Sequence, residues 1–204
     1  MEIIDITRGI FSSEIYPGDP EPEIQSFQSI EDGDSCNLNG YFACCHAGTH
    51  ADAPLHFVED GKSIDEMSMI PFIGPCRVLE VPEGPITGEY VDNHFPRGCS
   101  RLLLKSGGKA YFLDHGAQAA AELGYMLIGT DALSVGTSGN QIAPHNALLT
   151  KEIALLEGLN LTGVKEGSYF LLAQPVKLEG LEGAPVRALL IKGDFYWVSN
   201  EGGL

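Results

Sequence analysis

A chain of 204 residues, 44% of them hydrophobic, can bury a sizeable core, so disorder is excluded as the default and one domain over residues 1–204 is expected. Twelve Lys and Arg against 28 Asp and Glu leave a formal charge of −16, which repels phosphate backbones and anionic lipid and makes nucleic acid and membrane poor partners. The five cysteines, an odd number without C-x-x-C spacing, argue against a disulfide framework, and no apolar run approaches the ~20 residues of a membrane span. With no basic, apolar leader at its start, the protein is expected to be soluble and cytoplasmic.

In chain order, the first β-rich run covers residues 3–6. YPGDP at residues 16–20 follows as a proline-glycine turn able to hold the ring of Tyr16 over a site built elsewhere. A second run, residues 41–45, leads into HAGTHADAPLH at 46–56, where His46, His50, Asp52 and His56 bring half of the chain's histidines together with a carboxylate. Imidazole nitrogen and carboxylate oxygen suit zinc, manganese and similar ions, and a catalytic site uses about three such donors while keeping one metal position open.

All four donors occupy even positions, which share one face of an extended chain; a helix at about 100° per residue would align His46 with His50 but turn Asp52 away. In a regular strand His46 and His50 would stand roughly 13 Å apart, too far for one ion. Gly48 is the expected point of relief, as a residue that tolerates a bulge. Pro54 cannot continue a strand ladder and should turn the chain, returning His56 over the metal as a loop residue.

Residues 64–69 suggest a helical turn, and further β-rich runs follow at 76–81, 101–105 and 125–129, with a short helix at 116–123 closed by Gly124. Asp131, at the end of the 125–129 run, reads as a loop-capping carboxylate. A second helix begins at Pro144 and runs through residue 151, with His145 in its first turn; Glu157 follows the β-rich run 153–156 by one residue. Both lie near element ends where functional side chains gather, and spacing alone leaves their role open. Runs at 169–173 and 186–191 flank a loop at 178–185, and the whole pattern favours an α/β chain with a mixed sheet or barrel-like core and few helices.

HAGTHADAPLHF, continued by VEDGKSID, resembles the signature of the cyclase family that includes bacterial kynurenine formamidase and isatin hydrolase. The resemblance extends to YPGDP, to IGTDALS at 128–134, and to His145 and Glu157 within PHNALLTKEIALLEGL. It implies a swivelling β/β/α domain and a metal-dependent hydrolase that assembles as a dimer or tetramer. It also implies that His46, His50 and Asp52 are metal ligands, with Asp52 able to bridge two ions, and that His145 and Glu157 complete the site. His56 is then the catalytic acid/base and Tyr16 part of the substrate pocket, standing where kynurenine formamidases typically carry tryptophan. The expected reaction is hydrolysis of an aryl formamide such as N-formyl-L-kynurenine through a water activated by one or two ions of zinc or manganese. Ring opening of a cyclic amide such as isatin, and a non-catalytic metal- or ligand-binding protein of the same fold, are the alternatives. No G-x-S-x-G elbow suggests a serine nucleophile.

Overall fold

In the computed structural model, which describes residues 1–193, thirteen strands and three α-helices form a mixed α/β architecture around a nine-stranded sheet curled into a half-barrel. The strands are β1 (Glu2–Asp5), β2 (Glu23–Gln28), β3 (Leu38–Phe42), β4 (His50–Asp52), β5 (Ile73–Glu80), β6 (Gly84–Ile86), β7 (Arg101–Lys105), β8 (Ala110–Phe112), β9 (Leu127–Thr130), β10 (Ala154–Glu157), β11 (Gly167–Leu172), β12 (Gly183–Pro185) and β13 (Leu189–Lys192). The helices are α1 (Gly88–His94), α2 (Asp114–Ala121) and α3 (Ile142–Leu149). The large sheet has the order β1-β13-β11-β5-β7-β9-β10-β4-β12. Its centre, β5-β7-β9-β10, is parallel, and both flanks are antiparallel.

The parallel centre is buried on both faces, which is why its strands read as nearly unbroken apolar runs. Strand alternation sends Leu102, Leu104, Ile128 and Leu155 to one side, where they pack with Val91 of α1, Ala117 and Ala120 of α2 and Leu148 and Leu149 of α3. Leu103, Leu127, Ala154 and Leu156 go to the other side and join Phe72, Val78, Leu171 and Leu190.

The runs expected at 3–6, 76–81, 101–105, 125–129, 153–156, 169–173 and 186–191 correspond to β1, β5, β7, β9, β10, β11 and β13, shifted by a few residues at most ends. Three expectations need correction. The strand placed at 41–45 is instead β3, because the chain turns at Cys45 and His46 to enter the donor segment. Residues 64–69 form no helix, only a hydrogen-bonded turn in which the Glu66 amide donates to the Ser63 carbonyl at 3.1 Å. The loop at 178–185 ends in β12, which covers the outer edge of β4, with Gly183 opposite Asp52 and Pro185 opposite His50.

Candidate metal centre

Four elements deliver the donors. β4 lies between β10 and β12 and holds His50 and Asp52 in a buried strand; the register sets Glu157, the last residue of β10, directly opposite His50. α3 brings His145 from the helix layer. His46 precedes the strand in a turn rather than sharing its extended face, and Gly48 makes that possible: its φ of 68° is left-handed, and a Cβ there would stand 2.9 Å from the Arg8 carbonyl. Pro54 opens a short 3-10 turn, Pro54–His56, that folds the His56 ring onto His46 at a centroid distance of 4.1 Å. The relief at Gly48 and the return of His56 therefore occur where the sequence suggested.

Asp52 Oδ1 lies 3.0 Å from His46 Nδ1 and 3.4 Å from His50 Nε2, while Glu157 Oε2 lies 3.5 Å from His50 Nε2. His145 Nε2 lies 3.3 Å from Glu157 Oε1 and 3.7 Å from Asp52 Oδ2. Two imidazoles have their tautomers fixed from behind. Nδ1 of His50 is 3.0 Å from the Gly48 carbonyl and Nδ1 of His145 is 2.8 Å from the Gln141 carbonyl. A carbonyl can only accept, so each Nδ1 carries a proton and each Nε2 is turned toward the carboxylates, where it offers its lone pair to an ion once deprotonated. Glu157 Oε1 accepts from the Val135 amide at 2.6 Å. Thr49 ties the segment down, accepting from the Arg8 amide and donating to the Gly158 carbonyl.

Burial disfavours charge at His46, yet the hydrogen bond and charge of Asp52, with Glu157 and Glu182, push its pKa up to about 9. His145 is raised too, against its burial, by Glu157 and Asp52. Asp52 and Glu157 are fully buried, which alone would raise them; the surrounding imidazoles hold both below the ordinary carboxylate range. His56 is lowered, first by burial and then by its cationic neighbours His46 and His145.

Among the described residues, three buried atoms at this centre, His46 Nε2, His50 Nε2 and Asp52 Oδ2, have no hydrogen-bond partner; Nε2 of His46 stands 3.5 Å from Glu182 Oε1, without hydrogen-bond geometry. Orphaned polar atoms cost free energy in a protein interior, and a cation shared among them would remove that cost. The donor set fits such an ion. His50, Asp52 and Glu157 each offer an atom within 4.8 Å of the others, as do His46, Asp52 and His56, and Asp52 belongs to both groups. The cavity above the cluster, of about 80 Å³, is bounded by Tyr16, Asp19, His56, Ser134 and Gln141 among others.

The structure thus brings His46, His50, Asp52, His56, His145 and Glu157 together and sets Tyr16 at the cavity. Asp131 is apart from them, accepting from the Ser106 hydroxyl and from the amides of Ser106 and Gly107, as befits a loop cap. Sequence reasoning missed Glu182 beside His46, which lies in a stretch read as loop with several similar acids. It also missed Gln141, although a residue four before a histidine in a helix is the natural carbonyl partner for that ring.

Fold and site together define an α/β half-barrel carrying a His/Asp/Glu cluster able to hold a metal. Residues 4–137 match the family described as "Putative cyclase". The chain is 34% identical over 202 residues to a kynurenine formamidase of Sphingopyxis alaskensis, covering 92% of this chain and 97% of that protein. It is 35% identical over 206 residues to a kynurenine formamidase of Salinibacter ruber, covering 93% and 97%. A solved potential metal-dependent hydrolase with cyclase activity superposes with a TM-score of 0.80 at 27% identity, covering 93% of this chain and 96% of the other. An isatin hydrolase of Labrenzia aggregata shares the fold, with a TM-score of 0.77 at 18% identity and 94% coverage of both chains. This chain belongs to the cyclase family.

Proposed function

We propose that the protein is a metal-dependent amidohydrolase acting on a small aryl formamide, with N-formyl-L-kynurenine as the first substrate to test. The convergence of His46, His50, Asp52, His145 and Glu157 from separate stretches of chain, with three of their buried polar atoms left unpartnered among the described residues, carries this reading, and kinship with kynurenine formamidases supports the substrate class. His46, His50, Asp52, His145 and Glu157 would hold one or two divalent ions, zinc or manganese; Asp52 belongs to both donor groups. When bound, such an ion supplies Lewis acidity and lowers the pKa of water toward ~7.

The side chains do the rest. The backbone carbonyls behind His50 and His145 keep their Nε2 atoms aimed inward without reorganisation. Tyr16, which lines the cavity, would stack on an aromatic substrate. Water oxygen adds to the formyl carbon, His56 accepts the water proton and delivers it to the departing nitrogen, and the C–N bond breaks to give formate and an aryl amine.

A second role for His56 is favoured by its grouping with His46 and Asp52: it could be a third ligand of one ion. The test of the function is turnover of formyl-kynurenine, isatin and simple N-formyl anilines by chelated protein with and without added zinc or manganese. Formamide turnover that disappears on chelation, returns with metal and shows a higher KM in Tyr16→Ala is expected; full activity in stripped protein would remove the mechanism.

We further propose that the protein is a cytoplasmic homo-oligomer. The β2–β3 ribbon supports this, since an isolated two-stranded hairpin is marginal in water and this one exposes Ile24, Phe27, Leu38, Tyr41 and Phe42. Light scattering should read a multiple of the 21.9 kDa chain mass, and Phe27→Glu with Tyr41→Glu should lower it; a monomeric wild type would refute the assembly.

A further inference from the structure

Arginine is scarce in this acidic chain, with five residues in all, yet Arg77, Arg97 and Arg101 line one cavity of about 470 Å³. It shares no lining residue with the metal centre, and among the described residues no Asp or Glu lines it although the chain has 28. Of the nine cations outside the cavity, five, Lys62, Lys105, Lys109, Lys151 and Arg187, each pair with a carboxylate. Among the described residues, the side chains of Arg77 and Arg97 pair with none.

The arginines divide the work. Arg101 is buried and structural, donating from Nε to the Pro71 carbonyl at 2.6 Å, from Nη1 to the Pro75 carbonyl at 3.3 Å, and from Nη2 to the Ile70 carbonyl. It holds the start of β5, and with it Arg77, against the loop before β7. That loop turns through Gly98 in a left-handed conformation (φ 80°), and the Gly98 amide donates to no protein acceptor among the described residues. Ser100 and Ser168 add two hydroxyls to the wall. Planar guanidinium forks, hydroxyls and uncommitted amides are the donors that recognise an oxyanion, and like charges gathered without counter-charge are repulsive unless an anion joins them.

We propose that this cavity is a binding site for an oxyanion, a phosphate or carboxylate carried by a small molecule, gripped by Arg77 and Arg97 and separate from the metal centre. The chain's −16 charge opposes a passing anion only weakly here, because exposed charges beyond about 8 Å are screened at physiological salt.

Inorganic phosphate, titrated into the metal-loaded protein against sodium chloride of equal ionic strength, tests the site by calorimetry and by melting temperature. Wild type should show a saturable phosphate response that chloride does not give. Arg77→Gln and Arg97→Gln should each weaken it, roughly tenfold or more, with metal content unchanged. Arg101 is left intact because its guanidinium braces the Pro71, Pro75 and Ile70 carbonyls and its removal would disturb the cavity wall itself. Succinate in parallel assigns the oxyanion as phosphate or carboxylate. A response of equal strength in wild type and both variants would mean that the anion binds elsewhere, and no response to either anion up to about 10 mM would mean that there is no site; each outcome overturns the proposal.

Discussion

Replacing His56 and His50 by asparagine separates proton transfer from metal binding at the level of single side chains. His50 is buried, oriented by the Gly48 carbonyl, and aimed at both Asp52 and Glu157, so His50→Asn should lose metal and activity together. His56 sits half-buried on a 3-10 turn where, among the described residues, no backbone group fixes its tautomer, which suits a ring that must take up and release a proton. His56→Asn should keep most of the bound metal and lower turnover by ~10²–10⁴-fold, the usual cost of losing a general acid/base. Metal content and turnover measured on the same preparations decide the matter. A metal-free His56→Asn protein would make His56 a ligand, and a fully active one would take it out of the mechanism.

Between elements, the site depends on glycines that let backbones touch. Gly158 follows β10 with φ 65°, and a Cβ on it would stand 2.4 Å from the Gly48 carbonyl, the group that orients His50. Gly158→Ala should therefore cost on the order of 1–3 kcal/mol for its backbone conformation, with more for the contact, and should lower metal affinity beyond the loss of stability. Denaturant melts of metal-free protein beside metal titrations check this; unchanged affinity would uncouple Gly158 from the centre.

The same geometry explains what could be read in the chain beforehand. β7 was legible because Leu102, Leu103 and Leu104 are buried on both faces of the parallel centre. β2 was not, because every residue of Glu23–Gln28 is exposed and the pattern that marks a strand is the one burial imposes. β12 was hidden for a different reason. Gly183 stands where a side chain would press on the Ala51 carbonyl at 2.8 Å and the His46 ring at 3.1 Å, so an edge strand carries the composition of a loop. The donor segment itself was legible because four ligand-type side chains fall within eleven residues. Glu157 and His145 drew force only from resemblance, since the register that sets Glu157 opposite His50 belongs to the folded sheet.

For the molecule as a whole, the centre links stability to pH and to metal. In metal-free protein His46 has a pKa raised to about 9 by Asp52, above the ~6.5 of a free imidazole. A raised folded-state value means that the folded chain holds the proton more tightly than the unfolded one. That stabilisation is complete below about pH 6.5 and is lost as pH rises through about 9. Asp52 and Glu157 have lowered values, so their contribution is present above ~4 and is lost as pH falls further. Metal-free protein should therefore be most stable in mildly acidic solution and should melt at progressively lower temperature from neutral to alkaline pH. A bound cation replaces the proton among the same carboxylates, so metal-loaded protein should not show that decline between about pH 6.5 and 9, and loading near pH 7 should release protons into the buffer. Melting temperatures of both forms across this range, with calorimetry in buffers of different ionisation enthalpy, measure the two effects. Parallel melting curves and no proton release would mean that His46 does not exchange its proton for the metal, and the ligand set would then lack His46.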